Sequence, residues 1–215
     1  MPTTRSYNDL CPIARALDVV GERWALLVVR ELLLGPQRFS DLRLALPGVS
    51  SNLLTDRLRE LEARGVICRR VLPPPAGSSV YELTDRGRRL EVVLDALGEW
   101  GATESPPADG SLSATAVLLF LRGSVRTNPA APAGTFRLRL ENRAWTLVRR
   151  DGVLEIEPGD AAAADAGIRT DPITLNALLF DPDGLDAAVA TGIAEIDGDV
   201  DAVRRLLRAV APRSS

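Results

Sequence analysis

The sequence predicts a mainly α unit followed by an α+β unit, and three observations carry that division. In the first half, apolar residues recur at i, i+3, i+4 and i+7, the spacing of helices with one buried face. Past residue 130 the period shortens to two, with Phe136, Leu138 and Leu140 alternating with Arg137, Arg139 and Glu141. Between them, residues 100–110 read Trp-Gly-Ala-Thr-Glu-Ser-Pro-Pro-Ala-Asp-Gly and break both patterns. The boundary is placed near Ser105, giving domains 1–104 and 105–215.

Residues 12–20 are expected to be helical, with Ile13, Ala16, Leu17 and Val20 on one side. Residues 24–34 are apolar almost all round and read as a buried central helix stopped by Gly35-Pro36. Ser40 is expected to cap a short helix through Leu46, and Pro47-Gly48 to turn the chain. Ser50 or Ser51 then caps a helix ending near Ala63 and Gly65, with Leu54, Leu58 and Leu61 on its inner face. Residues 66–71 and 80–84 pair as a hairpin around a Pro-rich tip, residues 73–79. Thr84 or Asp85 opens one last helix through Trp100, with Leu90, Val93, Leu94 and Leu97 on one side.

In the second part, residues 112–122 read as a helix and Phe136 to Leu140 as a half-buried strand. Asp151-Gly152 joins two further strands, because both residue types tolerate the positive φ of a tight hairpin turn. Residues 166–170 and 193–197 read as strands, and 172–180, 184–190 and 199–211 as helices.

Short helix, tight turn, capped helix and hairpin make a winged helix-turn-helix, an order that places a helix in the major groove of double-stranded DNA. With the leucines inward, Asn52, Thr55, Asp56 and Arg59 face out, where Asn can pair with adenine and Arg with guanine. Ser50 and Ser51 sit at the helix start and can touch phosphate. Ser40 opens the preceding helix, and Arg57, Arg69 and Arg70 are expected on the DNA backbone. A solvated surface charge is the alternative for each of these arginines.

Net charge is −3, but it is unevenly spread. Residues 38–89 carry 10 Arg against 6 acids, and residues 151–201 carry 1 Arg against 13 acids. Only the first part is expected to meet a polyanion. All 26 basic residues are Arg, which a GC-rich genome explains without appeal to function. There is no His, which removes His-based acid–base catalysis, a Ser-His-Asp triad and nearly all zinc sites. No enzyme, metal or cofactor is expected. The first ten residues lack an apolar leader and no apolar run is long enough to span a bilayer, so a cytoplasmic location with reduced thiols is expected.

Residues 11–101 resemble the HxlR-type winged-helix regulators, a branch near the MarR group. The matching phrases are Cys11-Pro12-Ile13, Ala16-Leu17-Asp18-Val19-Val20-Gly21, Arg23-Trp24, Phe39-Ser40-Asp41-Leu42, Leu54-Thr55-Asp56-Arg57-Leu58-Arg59-Glu60-Leu61 and Tyr81-Glu82-Leu83-Thr84. The resemblance implies a homodimer on a palindromic operator, usually repressing, with residues 91–100 in the dimer interface. It departs at the wing tip, where residues 73–79 carry no basic residue. It also aligns Cys11 with an N-terminal cysteine that senses electrophiles or oxidants in some members. A helix N-terminus favours the thiolate that this chemistry needs; the alternative is a packing residue. Cys68 is read as core.

Residues 112–210 resemble the sterol carrier protein type 2-like fold, on Trp145-Thr146-Leu147-Val148, Asp151-Gly152, residues 166–170, Asp171-Pro172 to Leu179, and Gly192 with Asp197-Gly198-Asp199. That resemblance implies an apolar cavity for a lipid-like small molecule. Leu118, Phe120, Trp145, Leu178, Leu179 and Phe180 are the candidate lining, with an ordinary core as the alternative. The function expected is therefore a dimeric transcriptional regulator, modulated by an apolar ligand. A Cys11 thiol switch, and a lipid carrier with a vestigial winged helix, are the rivals.

Overall fold

The computed structural model describes residues 6–73, 77–126, 128 and 132–210. It divides into two compact units, one up to Ala108 and one from Asp109. Among the described residues no helix is long and apolar enough to cross a membrane.

The first unit begins with α1 (Pro12–Val20), which has Pro at its start, where the missing N–H costs nothing. Its apolar stripe does not become core: Val20 is buried, but Ile13, Ala16 and Leu17 are exposed. α2 (Ala25–Leu32) is the buried central helix, with Val28, Val29 and Leu32 almost fully covered. It is shorter than the apolar run, because Trp24 lies at φ 79° outside the helix and Gly35 at φ 120° turns away beyond it. Gln37 pairs both ways with Tyr81, N to O at 2.9 Å and 2.8 Å, and so ties the next loop to the wing.

α3 (Phe39–Ala45) starts two residues earlier than Ser40 capping would give. Arg38 is the cap residue, and the Asp41 carboxylate accepts from its N–H at 3.1 Å. α4 (Ser51–Ala63) is capped by Ser50, whose Oγ accepts from Leu53 N at 3.3 Å. It ends in a Schellman arrangement: Gly65, at φ 66°, donates to Glu62 O at 2.9 Å, and Val66 donates to Leu61 O at 2.9 Å. Leu54, Leu58 and Leu61 are buried in one cluster with Val28, Val29, Leu32, Leu42 and Leu46. β1 (Ile67–Val71) and β2 (Ser79–Leu83) form the antiparallel wing, with Cys68 opposite Glu82 and Arg70 opposite Val80. The tip residues 74–76 lie outside the described residues.

The expected single helix through Trp100 is two helices, α5 (Asp85–Arg88) and α6 (Glu91–Gly101). Thr84 caps α5 by accepting from Gly87 N at 3.1 Å, while its hydroxyl donates to Gly65 O at 2.7 Å. Gly87 is pressed so closely on the Val66 carbonyl that a side chain there would overlap it. Leu90 and Leu94 pack on the core, but no residue of α6 is fully buried.

The second unit is α7 (Ala114–Arg126), β3 (Gly134–Leu140), β4 (Arg143–Arg150), β5 (Val153–Pro158), β6 (Ala166–Thr170), α8 (Pro172–Phe180), a 3-10 turn (Pro182–Gly184), α9 (Leu185–Ala190), β7 (Glu195–Gly198) and α10 (Val200–Val210). The sheet order is β5-β4-β3-β6-β7, antiparallel except for the β3–β6 pair. Asp151 at φ 50° and Gly152 at φ 80° make the β4–β5 turn. Phe136, Leu138, Leu140, Trp145, Leu147 and Ile168 form the sheet's buried face, against Leu118, Leu121, Leu175, Leu179, Val203 and Leu206 from the helices. The opposite face is polar, and the loop from β5 to β6 is held there by Arg137, which bonds Ala161 O at 3.0 Å and pairs with Asp160 and Asp197.

Two glycine substitutions test this packing in opposite directions. Gly87→Ala is expected to destabilise by about 1–3 kcal/mol through overpacking. Gly123→Ala, in the interior of α7 with nothing within 4 Å, is expected to stabilise by about 0.5–1 kcal/mol. Urea unfolding followed by circular dichroism reads both.

Candidate nucleic-acid interface

With three leucines of α4 buried, the outer side of its first two turns is fixed. Ser51 and Asn52 are exposed, and Arg59 is 76% exposed about two turns along. Thr55 is half-buried, and its hydroxyl donates to Ser51 O at 2.8 Å, so it offers a methyl group and oxygen lone pairs outward. Asp56 lies 4.0 Å from Arg59 across one turn, an exposed i, i+3 pair. Ser40 is exposed in the first turn of α3, where its Oγ donates to Asp41 Oδ1 at 3.3 Å.

Arg57 departs from expectation. It is one of the few buried charged side chains, 9% exposed, and it pairs with Glu60 and, at 3.7 Å, with Glu22. Position 57 adjoins the leucine face, so its stem packs inward and its head is drawn to two carboxylates. Its guanidinium is held by these acids instead of standing free at the surface. On the wing, Arg69 is exposed and donates to Ser79 Oγ at 3.1 Å. Arg70 forms a two-bond pair with Glu82 at 3.0 Å and 2.9 Å. A backbone contact by Arg70 would therefore have to compete with Glu82.

The two cysteines differ. Cys11 is exposed at the N-terminus of α1, and the nearby Ala14 and Ile13 amides hold the thiol below the usual cysteine value, although its side chain makes no cap hydrogen bond there. Cys68 is half-buried rather than core. Burial raises its pKa, and the Glu82 carboxylate 3.7 Å from its Sγ raises it further.

Of the six residues named as cavity lining, Leu179 borders a small void and the others are packed core or surface. Leu118, Trp145, Leu178 and Leu179 are packed core. Phe120 and Phe180 stack on each other at 5.3 Å on the surface, 38% and 52% exposed. The void bordered by Leu121, Phe136, Leu138, Leu179 and Leu207 measures about 10 Å³, roughly a single water. Alternation and helical spacing locate an apolar interior, but they do not say whether it is filled.

Sequence reasoning did not find Glu22, Glu60 and Glu82, the acids that hold Arg57 and Arg70. The i, i+3 spacing of Arg57 and Glu60 was a readable signal. The other two pairings depend on how the chain returns on itself.

Residues 19–109 match the HxlR-like helix-turn-helix family profile. The uncharacterised HTH-type transcriptional regulator YvaP of Bacillus subtilis is 42% identical over 100 residues, which cover 46% of this chain and 92% of that protein. The chain belongs to the HxlR-like helix-turn-helix family. The HTH-type transcriptional regulator YodB of Bacillus subtilis is 33% identical over 103 residues, covering 47% of this chain and 92% of that one. The solved reduced form of YodB is 32% identical with a TM-score of 0.40, covering 47% of this chain and all of that one. The profile match lies almost entirely in the first unit.

In this HxlR-like chain the thiols should separate on titration. Alkylation by iodoacetamide, followed by mass spectrometry across pH, is expected to show Cys11 reacting first. Its half-maximal rate should fall below the ordinary thiol pKa, and that of Cys68 above it.

Proposed function

We propose that this chain is a sequence-specific DNA-binding transcriptional regulator, a repressor that binds a palindromic operator as a homodimer. The observation that carries the reading is the outward face of α4, where Asn52 and Arg59 stand clear of a helix whose other side is locked into the core. Asn and Arg are the side chains that read adenine and guanine edges in the major groove. Ser50, Ser51, Ser40, Thr55 and Arg69 supply the surrounding contacts, with Arg69 the best-placed wing arginine for phosphate. Membership in the family, with relatives named as transcriptional regulators, supports the same reading.

Dimerisation is supported by apolar side chains that the first unit does not cover. Ile13 is 71% exposed on α1, and Val92 and Trp100 are each 70% exposed on α6. A two-fold pair would bury these faces and set two copies of α4 about one turn of DNA apart.

A second reading rests on Cys11, whose exposure and lowered pKa suit a thiol that oxidants or electrophiles modify. A Cys11→Ser variant whose DNA binding still responds to hypochlorite or a quinone would exclude it. Modulation by an apolar ligand, on the sterol carrier-like reading of the second unit, would require that unit's filled core to open. We do not adopt it.

The test is fluorescence anisotropy on duplexes that the protein selects from a random pool, against scrambled duplexes, across a salt series. Asn52→Ala and Arg59→Ala are each expected to lose about 1–3 kcal/mol on the selected duplex and to relax preference at one position. Arg69→Ala should weaken both duplexes alike and lower the salt slope by about one. Equal affinity for selected and scrambled DNA would sink the reading.

A further inference from the structure

The turn between α1 and α2, residues 21–24, touches the DNA-reading half of the first unit in two separate places. Gly21 closes α1 by donating to Leu17 O at 2.8 Å, and a Cβ there would sit 2.5 Å from that oxygen. Glu22 then sends its carboxylate to Arg57 on α4 at 3.7 Å. Two residues on, Trp24 adopts φ 79°, a conformation that L side chains rarely take and that persists only when neighbours fix it. Its indole lies against Gly48 in the turn between α3 and α4, where a Cβ would come within 2.8 Å of the ring. One four-residue turn therefore grips the start of the reading helix from the loop before it and from its own second turn.

Arg57 explains why the grip matters. Its guanidinium is largely buried, with Glu60 from its own helix as one carboxylate partner and Glu22 as the other. Glu60 moves with α4 and cannot anchor it to anything. Glu22 is the partner that ties the helix to a different element. The α1–α2 turn has no DNA-reading side chain of its own in this picture; its effect is on where α4 points.

We infer that Glu22 and Trp24 are positioning residues for the DNA-reading helix, acting through Arg57 and Gly48. The inference rests on the proposed DNA-binding reading for its functional consequence, but the structural joint can be tested without DNA. Charge gives the decisive sign. Glu22 is acidic, so neutralising it on a protein that meets a polyanion would raise DNA affinity, or leave it unchanged, if the residue did nothing but sit on the surface. A positioning role predicts the opposite.

The experiment compares wild type with Glu22→Gln, Glu22→Asp, Arg57→Met and Gly48→Ala in the full chain. Glu22→Gln is expected to weaken binding to the selected duplex on the order of tenfold. The slope of log affinity against log salt should be unchanged, and Glu22→Asp should stay near wild type. Arg57→Met should lose affinity to a similar degree, again without the slope change of about one that a lost phosphate contact gives. In the Glu22→Gln plus Arg57→Met double variant the losses should not add. Hydrogen–deuterium exchange provides the DNA-independent arm: Glu22→Gln and Gly48→Ala should each speed exchange over residues 49–54, with the Glu22→Gln urea midpoint unchanged. Equal or tighter DNA binding by Glu22→Gln, or wild-type exchange in that segment, overturns the inference. If wild type shows no sequence preference, the regulator reading fails, and the exchange result alone decides the joint.

Discussion

The burial of Leu54, Leu58 and Leu61 against α2 is the constraint on which the rest of the first unit depends. Three leucines at i, i+4 and i+7 leave the helix one way to lie on its neighbours, and that fixes the rotation of every other residue on it. Asn52 and Arg59 face out because those three face in. The cap at Ser50 and the Schellman ending at Gly65 then set where the helix begins and where the chain turns into the wing. The rotation is inherited from the core, which leaves the tilt of the helix to be set by contacts at its N-terminal end.

Much of the fold was legible because it is built from periodicity and punctuation. The stripe of α4, the alternation of β3 and the Asp151-Gly152 turn each follow from local residue order. The misreadings share a different cause. Arg57 is expected on the DNA backbone from its place on the helix flank, but two carboxylates, one from the turn after α1, make its burial tolerable. The spacing from Thr84 predicts one continuous helix because its apolar pattern continues, yet the helix breaks at Arg89 and Leu90, just past the Gly87 that is pressed on the Val66 carbonyl. Ile13 and Leu17 share one apolar side of α1 by spacing, and spacing reports an apolar face without saying what covers it. In each case the missing information was a contact distant in sequence.

The charge distribution shows the same limit. Counted along the chain, residues 151–201 look like a strongly acidic block. In the folded unit, arginines from outside that window close on its acids. Arg137 and Arg139 from β3 meet Asp160 and Asp197, and Arg204, Arg205 and Arg208 from α10 meet Asp186, Asp199 and Asp183. Exposed pairs of this kind add little stability. Their consequence is for the field, because each pair replaces a free carboxylate with a dipole whose influence fades within a few ångström. The acidic unit therefore opposes an approaching polyanion less than its composition suggests.

The second unit's interior limits how it could act on the first. A lipid-like ligand occupies several hundred Å³ in the pockets that bind such molecules. The void beside Leu121 and Leu179 is about 10 Å³, so entry would mean separating helices α7, α8 and α10 from the sheet and uncovering leucines that now contact one another. Each fully exposed leucine costs about 1.5–3 kcal/mol, and a ligand can shift an equilibrium only by its preference for one state over the other. Several such residues would have to be uncovered and then covered again by the ligand before any surplus remained to move the first unit. On the Cys11 reading, modification of that exposed thiol would face no such barrier, since it lies at the N-terminus of α1, the helix whose other end leads into the turn that holds Arg57.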